Sequence, residues 1–175
     1  GIADAAQLRA AHDDMLAHVR KAAPQARIDG VLVQEMVSGG IEMLLGMTRH
    51  PPFGPVIAIG SGGTQVELLR DAALGLLPLD ARDAAELIAS TRGDALLAGW
   101  RGAPPRDRAA LIELAVRFGQ LVEAYAPLLE AIDLNPVSVG IAGTGVRILD
   151  ALVIARGPAD HSGAMATRDP QRIDS

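Results

Sequence analysis

The order of secondary-structure signals along the chain constrains the fold most. Short apolar, β-branched runs typical of strands lie on both sides of a central helical region. Within that region Asp80, Asp94 and Asp107 each precede a helical pattern, so each is predicted to be an N-cap. Folds built from parallel βαβ units alternate strands and helices instead. The order therefore predicts an α+β fold, with a largely antiparallel mixed sheet and helices packed on it.

The periodicity predicts the following elements. An amphipathic helix runs from Asp4, its N-cap, to about residue 20, before Pro24. Predicted strands span 31–37, 41–48, 55–60, 64–69, 128–139 and 146–154, and predicted helices span 81–90, 95–100 and 108–124. The last helix carries one apolar stripe of Leu111, Leu114, Ala115, Phe118, Leu121 and Val122. Residues 157–175 lack periodicity, and we expect them to form a flexible C-terminal tail.

Composition excludes several classes of function. Of the 175 residues 49% are hydrophobic, enough to build a core. A net charge of −5 and an aromatic content of 2% argue against a nucleic-acid partner, because phosphate backbones attract basic surfaces and bases stack on aromatic rings. No apolar run approaches the length of a membrane span, no secretion signal is recognisable, and cysteine is absent. We therefore expect a cytoplasmic protein without a membrane partner.

The last two predicted strands suggest a metal site. If they turn in the middle of their glycine-rich loop, Val139 faces Val146 and, four residues further, Asn135 faces Asp150. Directly opposed residues have Cβ atoms about 4.5–5.5 Å apart, close enough to share one cation. Asp133 lies on the same face as Asn135. Taken alone, Asp-x-Asn-Pro is more typical of the polar face and exit of a strand, and a slip of one residue would turn one partner away.

Six short segments, in this order, resemble a known family. They are Val31-Leu-Val-Gln-Glu-Met-Val37, Gly40-Ile-Glu-Met-Leu-Leu-Gly46, Phe53-Gly-Pro55, Gly60-Ser-Gly-Gly63, Leu97-Ala-Gly-Trp-Arg-Gly102 and Ile132-Asp-Leu-Asn-Pro136. Together they resemble the ATP-grasp portion of NDP-forming (ADP-forming) acyl-CoA synthetases, the relatives of succinyl-CoA synthetase. The resemblance covers residues 1–156 and implies a partial ATP-grasp domain, its C-terminal lobe.

The resemblance implies a nucleotide site for ATP or ADP. Glu35, Met36 and Val37 match the hinge strand whose backbone binds the adenine edge. Glu42 matches the acidic residue that accepts hydrogen bonds from the ribose hydroxyls. Gly62 and Gly63 match a glycine pair at which the backbone comes close to a phosphoryl-bearing loop. Read singly, these residues fit a buried strand, a solvated charge and a tight turn equally well.

The resemblance also implies a magnesium site. Asn135 and Asp150 match the Mg²⁺ ligands, in agreement with the strand geometry above, and Asp133 matches an acidic position beside the metal. One departure concerns His50, which stands where the family commonly has an aspartate. A histidine there can still hydrogen-bond a phosphate or a ribose.

Catalytic groups are expected outside this chain. The family's phosphorylated histidine and the lysines that neutralise the triphosphate lie upstream of the matched region, whereas Lys21 is the single lysine here and is predicted on a solvent-facing helix. The resemblance thus implies no catalytic residue in this chain, which we expect to be an inactive part of a longer polypeptide.

Two functions and one simpler interpretation follow. The first is an acid–CoA ligase that converts acyl-CoA, ADP and phosphate to acid, CoA and ATP through a phosphohistidine. Its CoA-binding domain would lie upstream or in a partner subunit, and the complete protein is expected to be an oligomer. The alternative is a non-catalytic regulatory pseudo-synthetase domain, for example fused to an acetyltransferase. The simplest is an α+β interaction domain without a nucleotide.

Overall fold

The computed structural model of the protein describes residues 1–63 and 71–157. The chain divides into two compact units, Gly1–Ser38 and a larger one that begins at Gly39. Helix α1, Ala5–Ala22, lies in the first unit. The Asp4 side chain accepts hydrogen bonds from the backbone N–H groups of Ala6 and Gln7, both at 2.9 Å. The predicted first helix and its cap are therefore confirmed.

The strand predicted at 31–37 is wrong. Residues 26–38 contain neither helix nor strand, and Leu32 and Met36 are 83% and 74% exposed. A strand needs a neighbour that satisfies its backbone N–H and C=O groups, and the first unit supplies none. The apolar, β-branched composition of 31–37 is typical of a strand, but it does not show whether a neighbouring strand is present.

The larger unit contains the sheet. Its strands are β1 (Ile41–His50), β2 (Gly54–Ser61), β3 (Ala72–Leu76), β4 (Leu129–Val139), β5 (Val146–Ile148) and β6 (Leu152–Ala155); its helices are α2 (Ala81–Ala89), α3 (Gly93–Leu97) and α4 (Arg108–Tyr125), with 3₁₀ turns at Trp100–Gly102 and Ala126–Leu128. The predicted strand 64–69 lies outside the described residues, and so does the predicted tail after Gly157. Strand β3 was not predicted.

Among the described residues the strands form one sheet in the order β3-β2-β1-β4-β5, with β6 also paired to β4. Every pairing in it is antiparallel. The α+β architecture with an antiparallel sheet is therefore as predicted. No helix of the described residues has both the length and the apolar character that crossing a membrane requires.

The register of the last strands follows the prediction on both sides of a break. Val139 pairs with Val146, as expected, and two positions further Val137 pairs with Ile148. Beyond residues 149–151 the same register resumes between β4 and β6. The single strand predicted at 146–154 is therefore two strands separated by a short unpaired segment.

The core lies between one face of the sheet and helices α2 and α4. Its fully buried side chains include Met43, Leu45, Ile57, Ile59, Ile88, Leu111, Val122, Val137 and Val139. Helix α4 buries most of its predicted stripe, but Leu121 is 46% exposed. Leu121 lies about 100° around the helix from Val122, which is fully buried, so it falls at the edge of the buried face.

Two of the three predicted helix caps are confirmed. Asp80 forms a capping box with Asp83, and Asp107 accepts from the N–H of Ala110 at 3.1 Å. Asp94 is not a cap, because it lies inside α3, and its carboxylate instead pairs with Arg108 at 2.7 Å. The start of α3 is set by a distant side chain, described below.

Replacing Leu111 by Ala should lower the free energy of unfolding by about 2–5 kcal/mol, because it opens a cavity in the centre of the core. Leu111 is completely buried. Leu121→Ala on the same helix is the matched control and should cost below about 1 kcal/mol. Urea unfolding of the two variants measures both values; equal losses would contradict the assigned face of α4.

Asp107→Asn should weaken the protein's resistance to unfolding at neutral pH but not at low pH. Backbone N–H groups of Gly145 and Ala110 donate to the Asp107 carboxylate and hold its pKa below the ordinary value. A lowered folded-state pKa adds stability that is present above the ordinary pKa and is lost as pH falls through the lowered one. Thermal unfolding between neutral and acidic pH should therefore show the two proteins converging. Asp14→Asn, in α1, is the control, because it removes the same charge without touching the bonds from Gly145 and Ala110 to Asp107.

Candidate functional site

The glycine pair after β2 joins three strands. The Gly62 N–H donates to the Glu42 backbone oxygen at 2.8 Å, and the Gly63 N–H donates to the Asn135 side-chain oxygen at 3.2 Å. Strands β2 and β4 are not neighbours, because β1 lies between them. The turn therefore crosses over the beginning of β1 and brings Glu42, the glycines and Asn135 together.

Glycine is required at the first of these positions and favoured at the second. A Cβ on Gly62 would lie 2.5 Å from the Met43 carbonyl oxygen, which belongs to a backbone that cannot move aside. Gly63 has φ +76°, and a Cβ there would lie 2.0 Å from a carboxylate oxygen of Glu42. The Glu42 carboxylate thus lies directly over Gly63. Close backbone approach at a phosphoryl-bearing loop was the role that the resemblance implied for this pair.

Two carboxylates accompany Asn135 on β4 and on the segment opposite. Asp133 precedes Asn135 by two residues and is exposed. Partial burial raises the pKa of Asp133, and the negative charge of Asp150 raises it further. The two carboxylates are therefore close enough to repel each other, and a cation between them would relieve that repulsion.

Asn135 and Asp150 stand in the break between the two ladders. The Leu149 N–H donates to the Pro136 oxygen at 3.0 Å, so the two segments remain adjacent there. The Asp150 carboxylate accepts from the N–H of Ala151 at 2.8 Å. The predicted register thus holds on both sides of the pair, although no ladder pairing joins these two residues. That Asn135 and Asp150 bind one metal ion together stays a prediction.

The donors around Asn135 suit a hard cation that also binds phosphate. Asn135, Asp133 and Asp150 offer amide and carboxylate oxygens, which Mg²⁺ prefers. In the part of the chain that the structure describes, no group of three or more His, Cys, Asp or Glu residues could hold a metal by itself. Mg²⁺ in nucleotide enzymes commonly takes only one or two carboxylates and completes its sphere with phosphate oxygens and water. The residues present fit such a partly protein-built site.

Other predicted residues lie elsewhere. Glu35, Met36 and Val37 belong to the first unit, where their segment is irregular, and their role at an adenine edge stays a prediction. His50 lies at the opposite end of β1 from Glu42, about 26 Å away along an extended strand. Its ring contacts Phe53, with the centroids 5.3 Å apart. His50 therefore is not part of the group formed around Gly63.

Asp71 and Ser61 are site neighbours that the sequence did not reveal. The Asp71 carboxylate accepts from the Ser61 hydroxyl at 2.5 Å and from the backbone N–H groups of Arg92 and Gly93 at 2.8 and 3.2 Å. Burial alone would raise the pKa of Asp71, but the Arg92 N–H, the Ser61 hydroxyl and the Gly93 N–H together hold it below its ordinary value. Its partners lie far away in sequence, and no local motif signals them.

Residues 1–154 match the family model of the ATP-grasp domain. The chain belongs to the ATP-grasp domain family. The family and fold implied by the six segments are thereby confirmed, and the ATP-grasp domain carries Glu42, the glycine pair and Asn135 within its matched residues.

Three relatives illustrate the similarity of this ATP-grasp chain to curated and solved proteins. The ADP-forming acetate–CoA ligase I of Archaeoglobus fulgidus is 41% identical over 139 residues, which cover 79% of this chain and 20% of the ligase. The beta subunit of the ADP-forming acetate–CoA ligase II of Pyrococcus furiosus is 34% identical over 151 residues, covering 86% of this chain and 64% of the subunit. The dinucleotide-forming acetyl-coenzyme A synthetase 1 of Ca. Korarchaeum cryptofilum, solved in complex with coenzyme A and Mg-AMPPCP, superposes with a TM-score of 0.72 at 31% identity, covering 86% of this chain and 63% of that one.

The chain thus spans about a fifth of the Archaeoglobus ligase and just under two thirds of the Pyrococcus subunit. What these relatives share with it is the ATP-grasp portion. Their names describe ADP-forming ligases of an acid with coenzyme A.

Gly62→Ala should destabilise the ATP-grasp domain by about 1–3 kcal/mol, because the added methyl group would be driven into the Met43 backbone. Gly30→Ala is the matched control, since a Cβ there meets nothing within 4 Å and its φ is not positive. Chemical unfolding compares the two variants with the parent. A Gly62→Ala protein as stable as the Gly30→Ala protein would contradict the crossing of the turn over β1.

Proposed function

We propose that this chain is the nucleotide-binding lobe of a longer ADP-forming acyl-CoA synthetase. The complete protein would convert acyl-CoA, ADP and phosphate to the acid, CoA and ATP, with a phosphohistidine carrying the phosphoryl group. The observation that carries this proposal is the meeting of Glu42, Gly62–Gly63 and Asn135 next to Asp133 and Asp150. Membership of the ATP-grasp family and the ADP-forming relatives support the same function.

Asn135 and Asp150 would hold Mg²⁺ together with the nucleotide phosphates. When bound, Mg²⁺ offsets phosphate charge and orients the phosphate oxygens. An amide oxygen has two lone pairs, and the Gly63 N–H occupies one of those of Asn135, which leaves the other for the cation. Asp133, beside this pair, would add negative charge without being a direct ligand.

Glu42 and the glycine pair would bind the nucleotide itself. The Glu42 carboxylate, held over Gly63, is suited to accept hydrogen bonds from the ribose hydroxyls. Because the Gly63 N–H already donates to Asn135, the glycines contribute space and backbone shape there more than a free donor. Glu42 and the glycine pair would thus position the sugar and the phosphates relative to the cation.

The remaining chemistry would come from elsewhere in the complete protein. Phosphoryl transfer depends on positive charge around the transferring group, and this chain has a single lysine, Lys21, on an exposed helix. The phosphorylated histidine, the triphosphate-binding lysines and the CoA-binding domain would lie in another part of the polypeptide or in a partner subunit. The Pyrococcus relative is a beta subunit, which supports a partner subunit, whereas the match to only 20% of the Archaeoglobus ligase supports a longer polypeptide.

The test is ATP formation by the complete protein from ADP, phosphate and a panel of acyl-CoA thioesters that includes acetyl-CoA. Asn135→Ala and Asp150→Asn should each lower kcat/KM by about 100-fold, because each removes a group that holds the metal and the phosphates. Asp29→Asn in the first unit is the control and should retain parental activity.

Two other outcomes separate the alternatives. A complete protein that binds Mg·ADP, loses that binding on Asn135→Ala, and forms no ATP with any thioester would identify a regulatory domain. A protein that neither binds Mg·ADP nor forms ATP would refute the nucleotide site altogether.

A further inference from the structure

Asp71 is hydrogen-bonded to Ser61, the residue immediately before the glycine pair. Strands β2 and β3 pair antiparallel, with Gly60 opposite Ala72, and the Ser61 N–H extends this ladder by donating to the Asp71 backbone oxygen at 3.0 Å. The Ser61 hydroxyl also donates to the Asp71 carboxylate. Main chain and side chain thus fasten the residue immediately before Gly62.

The Asp71 carboxylate also accepts hydrogen bonds from the beginning of helix α3. Asp71 accepts from the N–H groups of Arg92 and Gly93, at the beginning of α3, where no local side chain caps the helix. Three donors converge on one carboxylate, and hydrogen bonds to an ionised acceptor are stronger than those between neutral groups. The beginning of α3 therefore serves as a fixed support for Asp71.

The residues around Ser61 and Asp71 are closely packed. A Cβ on Gly60 would lie 2.2 Å from the Asp71 backbone oxygen. A Cβ on Gly93 would lie 2.9 Å from the Met43 sulfur and 3.2 Å from the Ser61 hydroxyl oxygen. Glycine at both positions lets β2, Asp71 and α3 approach this closely, so Ser61 has little room to shift.

A continuous set of contacts runs from this support into the candidate site. It passes from the beginning of α3 through Asp71 and Ser61 to Gly62, which donates to the Glu42 oxygen, and to Gly63, which donates to Asn135. Neither Asp71 nor Ser61 is among the residues expected to contact the nucleotide or the metal. Their position immediately behind the glycine pair suits them to hold it.

We infer that Asp71, acting through the Ser61 hydroxyl, is a positioning residue that holds the Gly62–Gly63 turn, and through it Asn135, for binding of Mg·ADP. The inference rests on the proposed function. Asp71 is a capping residue for α3 as well, so its loss alone would not separate positioning from helix stability. Ser61 separates them, because its hydroxyl contributes to the link and not to the cap.

The decisive variant is Ser61→Ala in the complete protein. It removes the hydroxyl and leaves Asp71 bonded to the N–H groups of Arg92 and Gly93. The KM for ADP should rise about tenfold, the effect expected from loss of one charge-assisted hydrogen bond. The KM for acyl-CoA should stay unchanged.

Ser61→Ala, Asp71→Ala and the variant that carries both substitutions form a double-mutant cycle. If the hydroxyl acts through the carboxylate, the double variant should have the same KM for ADP as Asp71→Ala alone. Asp80→Ala is the matched control, because Asp80 caps α2 with a similar geometry but has no link to β2. It should lower the Tm and leave the KM for ADP unchanged.

Amide hydrogen exchange provides a readout that does not depend on activity. Exchange at Gly62 and Gly63 in the complete protein should accelerate in Ser61→Ala and Asp71→Ala and stay unchanged in Asp80→Ala. Unchanged exchange together with an unchanged KM for ADP in Ser61→Ala would overturn the inference, as would an equal rise in KM for Asp80→Ala. A parent protein that does not use ADP would defeat the proposed function instead, and exchange would then decide whether Asp71 holds the turn.

Discussion

The hydrogen bond from the Gly63 N–H to the Asn135 side chain is the contact on which the candidate site depends. It joins β2 to β4 across β1, two strand spacings that amount to about 10 Å. Without this crossing Asn135 would be an ordinary polar residue on one face of a sheet. With it, the Glu42 carboxylate, the glycine turn and the side-chain oxygen of Asn135 come together.

Such a crossing is possible only where side chains are absent. A methyl group at Gly62 would collide with the Met43 backbone, and Gly63 has a positive φ that other residues rarely adopt. Gly60 and Gly93 allow the same closeness on the opposite side of Ser61. The glycines are therefore requirements of packing, and the polar side chains around them are held by backbone groups as much as by one another.

The ionised form of Asp133 is disfavoured by its surroundings. Partial loss of hydration raises the pKa of Asp133, and the negative charge of Asp150 raises it further. Two negative charges acting on each other cost stability, and a bound cation offsets that cost. This cost is consistent with a site completed by Mg²⁺ and phosphate, as proposed.

Much of the architecture was predictable from local signals. The caps at Asp4, Asp80 and Asp107, the strands β1, β2 and β4, and the register between β4 and β5 follow from short-range chemistry and from the period of side chains along a strand. Three interpretations failed because each depended on contacts with residues outside the local sequence. The segment 31–37 has the composition of a strand but no partner within its unit, Asp94 has the appearance of a cap but pairs with Arg108, and the strand after Val146 is broken where it passes Asn135.

The sequence by itself determined the α+β class, most helices and strands, the family and the identity of the residues now grouped at the site. Only the tertiary structure decided that Gly63 reaches Asn135 across β1, that Asp71 supports Ser61 from the beginning of α3, and that His50 lies at the far end of its strand. Caps and strand periods involve residues a few positions apart. Contacts between residues tens of positions apart depend on how the whole sheet packs, which no short window of sequence encodes.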